Sequence, residues 1–220
     1  MDNLILTCEH GGNSVPEVFR SHVKIPKTVL DSHRGYDKGA LKIAKDLSKE
    51  LKKPLFFSTQ TRLLIDYNRS LSNPSLWSSY SKELSQNLKE SLIEGYELHR
   101  QLITSQIESL LKKKKSVIHL AIHSFTPVLK GKKRTTDIGI LYNSKRPEEK
   151  FIAHALKNDL QAHLKVRFNY PYLGSSDGLS RFLRNTFKKR YIGLEIEINQ
   201  ALVARPDLGK QLLHSIQSLD

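Results

Sequence analysis

Apolar residues along this chain fall into two spacings. Short runs at Leu4 to Leu6, Leu55 to Ser58, Val117 to Ile122, Asp137 to Tyr142 and Tyr191 to Ile198 read as strands. Val117 to Ile122 is apolar on both faces, as a central parallel strand is. Leu194-Glu195-Ile196-Glu197-Ile198 alternates instead, which sets two carboxylates on one face. Between these runs the spacing turns helical. Leu41, Ile43, Ala44, Leu47 and Leu51 predict an amphipathic helix opening at Gly39 or Ala40. The stretch from Glu83 to Lys114 predicts one long helix, or two joined near Gly95, and further helices are expected over Glu148 to Leu164, Leu179 to Phe187 and Pro206 to Leu219. A short helical turn fits Pro16 to Phe19. Strands alternating with helices argue for an α/β three-layer sandwich with a mostly parallel central sheet, in a single domain over residues 1–220.

Open α/β sheets bind ligands at the carboxyl ends of their strands, so the polar residues there carry the functional reading. The first strand delivers Glu9 and His10 into the turn Gly11-Gly12-Asn13. If the strand is regular, Glu9 and His10 alternate to opposite faces. Asp31, His33, Arg34 and Asp37 crowd the segment before the first long helix, where Asp37 also fits an N-cap. Leu63 to Ile65 is followed by Asp66, Asn68 and Arg69, and Val117 to Ile122 is followed by His123. His119 shares the face of His123 but lies four residues earlier, inside the sheet. His99 sits on a helix with no ligand-type neighbour and reads as a surface or core histidine.

Cys8 is the only cysteine, which excludes an internal disulfide and any cysteine-rich zinc site. A metal must then be held by histidine and carboxylate. His10, His123 and an acid such as Glu9 meet the three-ligand need of a catalytic zinc. Glu195, with Glu197 as its alternative, is placed to take a proton from water and pass it to a leaving amine. Arg69 beside Asn68 suits a forked grip on a substrate carboxylate. Arg62, Asp66, His33 and Asp37 complete the candidates for substrate binding.

The formal charge of +14 attracts anionic partners and makes a nucleic-acid-binding protein the rival reading. The clusters Lys112 to Lys115, Lys132 to Arg134 and Lys188 to Arg190 carry no interleaved aromatic residues, as a base-stacking platform requires, so solvated surface is the expected reading. No apolar run approaches the roughly 18 residues needed to span a bilayer. Asp2 and the short first apolar run do not read as a leader, so no membrane partner and a cytoplasmic location are expected.

The segments CEHGGNSVP, DSHRGYDKGA, RLLIDYNR, HSFTP and GLEIEINQ, in this order, resemble the N-formylglutamate amidohydrolase family, whose members share the fold of the zinc-dependent exopeptidases. The resemblance runs from about Leu4 to Leu202. It implies a zinc-dependent amide hydrolase acting on a small N-acylated amino acid or related carboxylate-bearing amide, with a peptide or cell-wall amidase as the variant that shares this chemistry. The exopeptidase pattern implies metal ligation at His10 and His123, carboxylate binding at Asn68 and Arg69, and a base at Glu195. Its first motif, His-x-x-Glu, has Asn13 where the acid belongs, which leaves Glu9 or another acid to supply the ligand. Glu197 stands where the resemblance leads to an expected arginine.

Overall fold

The computed structural model describes residues 2–219. Strand β1, Leu4–Cys8, is followed by two single-turn helices, α1 at Glu17–Arg20 and α2 at Lys27–Leu30, and then by α3, Ala40–Leu51. Next come β2, Leu55–Phe57, a long irregular segment, α4 at Gln86–Leu111 and β3 at Val117–Phe125. A small hairpin, β4 at Val128–Leu129 and β5 at Lys132–Lys133, precedes β6 at Ile138–Leu141. Helix α5, Pro147–Leu160, strand β7, Val166–Phe168, helix α6, Leu179–Phe187, strand β8, Tyr191–Asn199, and helix α7, Leu208–Gln217, complete the chain.

Six strands form one sheet in the order β2-β1-β3-β8-β6-β7. The first four are parallel, whereas β6 runs antiparallel to β8 and β7 runs parallel to β6. Alternation along the strands decides the layers. Leu4, Leu6 and Cys8, Ile118, Leu120 and Ile122, and Ile192, Leu194, Ile196 and Ile198 point to one side, where α3, α5 and α7 bury them. The opposite side is apolar only near the amino ends, where Ile5, Val117 and Tyr191 pack under α4 and α6. Farther along, that same face carries His123, Glu195 and Glu197, and no helix covers them. A buried polar surface therefore opens at the carboxyl end of the parallel strands.

Several elements differ from the sequence expectation. β3 continues through Phe125, so His123 lies within a strand and pairs in register with Glu197 instead of following the strand's end. Of the two readings offered for Glu83 to Lys114 the single helix holds: α4 passes through Gly95, where burial of Leu92, Tyr96, Ile103 and Ile107 outweighs the roughly 1 kcal/mol cost of a glycine inside a helix. Leu63 to Ile65 is buried in a turn and belongs to no strand. α5 stops at Leu160, and β7 was not foreseen. Its three residues are too short a run to show a period.

Candidate active site

The chain leaves β1 at Cys8, and the next residues diverge. Glu9 continues toward the open face, whereas His10 turns toward the segment before α3, where its carbonyl accepts the main-chain N–H of Asp37 at 2.9 Å. Asp37 is thereby fixed between His10 and the middle of the sheet. Its Oδ2 lies 2.8 Å from Nδ1 of His123 and 3.4 Å from Nδ1 of His10. Gly39, two residues on, has φ of +84°, and a Cβ there would approach Val203 to 2.6 Å. Only glycine turns the chain from Asp37 into α3 without strain.

Each histidine is held from behind by a second carboxylate. His10 donates from Nε2 to Asp66 Oδ1 at 2.7 Å, and Nε2 of His123 lies 3.1 Å from Glu9 Oε2. All five side chains are buried. Burial alone would raise the carboxylate pKa values. The imidazole of His123 reverses this for Glu9, His10 with His123 and Arg62 reverses it for Asp37, and Arg62 with His10 reverses it for Asp66, so all three fall below the usual range. The same pairs raise both histidines against the opposing effect of burial. Nδ1 of His10 is buried without a hydrogen-bond partner among the described residues. His10, Asp37 and His123 each offer one ligand atom, and these atoms lie within 4.8 Å of one another. Two imidazole nitrogens and one carboxylate oxygen, with an orphaned nitrogen among them and a carboxylate backing each ring, match the donor set and supporting shell of a zinc site.

The other candidates divide by what they touch. Arg62 bridges Asp37 Oδ1 at 3.2 Å and Asp66 Oδ2 at 3.0 Å, so its guanidinium braces the ligand cluster. Asp66 also accepts the N–H of Asn68 at 2.9 Å. Asn68 Oδ1 in turn accepts the N–H of Leu179 at 2.8 Å, at the start of α6. Arg69 lines the cavity with weaker ties, 3.9 Å from Asp66 and 3.5 Å from the carbonyl of Asp177. His33 stands at the rim of the same cavity, exposed, its pKa lowered by partial burial and by Arg134. Asn13 is outside the group, because its amide donates to Asp31 at 2.8 Å and to the carbonyl of Leu30. His99 is a core histidine packed on Tyr67, with ring centroids 5.2 Å apart.

A cavity of about 240 Å³ opens over this cluster, and both Glu195 and Glu197 line it. Glu197 is buried with Oε2 unpartnered among the described residues, and burial, opposed by His123 and reinforced by Asp37 and Glu195, pushes its pKa up to about 8. One wall comes from the segment between β7 and α6, which contributes Tyr172, Leu173, Ser176 and Asp177. That segment can lie on the sheet because Gly139, the register partner of Glu197, has no side chain; a Cβ would meet the carbonyl of Tyr170 at 1.7 Å. Arg134 closes another wall. Its main chain is fixed by Pro127 and Asn199, its guanidinium lies 5.6 and 5.8 Å from the rings of Phe125 and Tyr172, and its Nη1 is buried without a hydrogen-bond partner among the described residues. Sequence reasoning set Arg134 among solvated basic residues, and no local signal separates it from Lys132 and Lys133.

An open strand face with paired acids, clustered histidines and a small cavity is the layout of an enzyme active site. The family model for N-formylglutamate amidohydrolase matches residues 2–204, and the chain belongs to that family. Gene product Atu2144 from Agrobacterium tumefaciens is similar in structure at 24% identity and TM-score 0.79, covering 99% of this chain and 91% of that one. N-formylglutamate amidohydrolase from Ralstonia eutropha JMP134 is similar at 17% identity and TM-score 0.75, over 99% and 92%. At these identities the likeness is one of fold. No curated protein matches the chain.

Proposed function

We propose that this protein is a zinc-dependent amidohydrolase that cleaves the amide of a small N-acylated amino acid, N-formyl compounds included. The observation that carries the reading is the convergence of His10, Asp37 and His123 within 4.8 Å beneath a cavity lined by two further carboxylates. His10, Asp37 and His123 would hold the ion, Asp37 taking the place considered for Glu9 and Asn13. Zinc bound there supplies a Lewis acid for the substrate carbonyl and an acidified water.

The remaining chemistry belongs to the chain's own side chains. Of the two acids on β8, both of which line the cavity, Glu195 accepts the proton of the attacking water. Glu195 then passes that proton to the departing amine, with Glu197 beside it as the second acid of the cavity. Arg69 pairs with the substrate carboxylate and orients the scissile bond. A cavity of about 240 Å³ is smaller than the ~300–1,000 Å³ usual for drug-sized ligands, which favours a small amide over a cell-wall fragment.

Metal content tests the reading directly. Protein purified without chelator is expected to carry close to one zinc per chain by elemental analysis and to hydrolyse N-acyl amino acids. His10→Ala, Asp37→Ala and His123→Ala each lose the metal; full retention in all three would sink the ligand set.

A further inference from the structure

A second cavity, of about 780 Å³, lies between α4 and α6 and shares with the catalytic one only Asp177. Among its lining residues is Arg100, 7% exposed. The guanidinium of Arg100 donates through Nη2 to the carbonyl of Arg69 at 2.8 Å and lies 4.5 and 4.6 Å from the ring centroids of Tyr96 and Phe182. Its Nε is buried with no hydrogen-bond partner among the described residues. None of the contacts made by this guanidinium is to a carboxylate. Exposed Arg181, Glu97 and Glu108 stand at the rim and Asp177 in the shared wall, so the lining charge is mixed; Asp177 and Glu9 act on the buried cation only from a distance, and among the described residues neither bonds to it. A buried charge in contact with no carboxylate is costly, and burial lowers the pKa of Arg100 against the raising effect of Glu9 and Asp177. Tyr96, Phe182 and Leu71 give the cavity apolar walls, and its volume falls in the range of small-molecule sites.

We propose that this cavity binds a small amphiphilic anion, an acid group on an apolar ring, with its charge on Arg100. The position of Arg100 couples such a ligand to the catalytic cavity. The main-chain carbonyl of Arg69 is gripped from α4 by Arg100 and by the Tyr96 hydroxyl, at 2.7 Å, while the Arg69 side chain lines the catalytic site. The next residue, Ser70, donates its N–H to Asp177 in the wall between the two cavities at 2.9 Å. A ligand that draws the guanidinium away from the Arg69 carbonyl alters the placement of the residue that holds the substrate acid. This coupling rests on the substrate-binding role of Arg69; the binding itself does not.

The probe is 8-anilinonaphthalene-1-sulfonate, an aromatic anion whose fluorescence rises as it leaves water, titrated into the full chain. Saturable binding is expected, weakened about tenfold or more by Arg100→Met, as expected for loss of a buried charge partner. Ser105→Trp, at an exposed position on the cavity wall, fills the space without touching Arg100 and is expected to abolish binding even if the Arg100 variant folds poorly. N-phenyl-1-naphthylamine, which lacks the sulfonate, is expected to bind about tenfold more weakly to the unaltered protein. Equal binding in the wild type and both variants, or equal binding of the uncharged probe, overturns the site. Saturating probe should shift KM for an acidic amide in the wild type and leave KM unchanged in Ser105→Trp; an unchanged KM with the probe bound overturns the coupling. A protein that hydrolyses no amide but binds the probe as described counts against the enzyme reading alone, because the fluorescence reports occupancy without turnover.

Discussion

Glu9 and His10 are adjacent in sequence yet serve different histidines. His10 turns its Nδ1 edge to Asp37 and its Nε2 edge to Asp66, and His123 repeats the pattern with Asp37 and Glu9. Both histidines were legible because each follows an apolar run that predicts a strand. Asp37 was legible as a candidate for substrate binding or as an N-cap, and its place between the two histidines was not, since an N-cap and a site acid leave the same trace in sequence. Replacing Asn13 by alanine is therefore expected to leave metal content unchanged, whereas Asp37→Asn lowers it, both read by elemental analysis. Between the acids on β8, Glu195→Gln should retain metal and lose about 10²–10⁴ in kcat, the usual worth of a positioned base. Glu197→Gln should retain metal with a smaller loss. An unchanged kcat in Glu195→Gln would transfer the base to Glu197.

Strand and helix identities were largely written in the periodicity, and their directions were not. The alternation of β8 gave both its buried face and its two acids, and the helical spacing of α3 gave its start to within a residue. That β6 opposes β8 depends on where the chain crosses the sheet, which a run of four apolar residues does not record. The junction between Asp37 and α3 shows how an element's geometry reaches the site. Gly39→Ala forces a side chain into a left-handed turn and against Val203, at a cost of about 2 kcal/mol. A lower urea midpoint with an unchanged m-value, accompanied by weaker metal retention, is the expected result. Weakened stability with full metal affinity would show that Asp37 holds its place without the turn.

At the scale of the whole molecule, charge and acid sensitivity come from different regions. Lys112 to Lys115 and Lys188 to Arg190 meet at the amino end of β3 and β8, where Arg190 donates to the carbonyl of Lys114 at 3.3 Å, away from the catalytic cavity. Among the described residues no helix is long and apolar enough to cross a membrane. Deep in the sheet, His119 is bonded to Thr7 at 2.8 Å and to the Tyr191 hydroxyl, and burial brings its pKa down to about 4. The unfolded imidazole takes its proton at 6.5. Acid between these values therefore favours the unfolded chain, and stability present above pH 6.5 drains away toward pH 4, by about 3 kcal/mol in all. Urea midpoints measured across that window should fall in the wild type, and His119→Asn should flatten the fall while costing stability at neutral pH; an equally steep fall in the variant would place the sensitivity elsewhere. The reversed β6 carries a different consequence. Because it opposes β8, the chain leaves β3 and enters β6 at the same edge of the sheet, joined by the β4–β5 hairpin and Arg134 without the helical crossover that a parallel strand demands. A loop tethered this way tolerates insertion and deletion. Changes in that connection therefore reshape one wall of the cavity, which Leu129 and Arg134 line, while His123, Glu195 and Glu197 keep their places on β3 and β8.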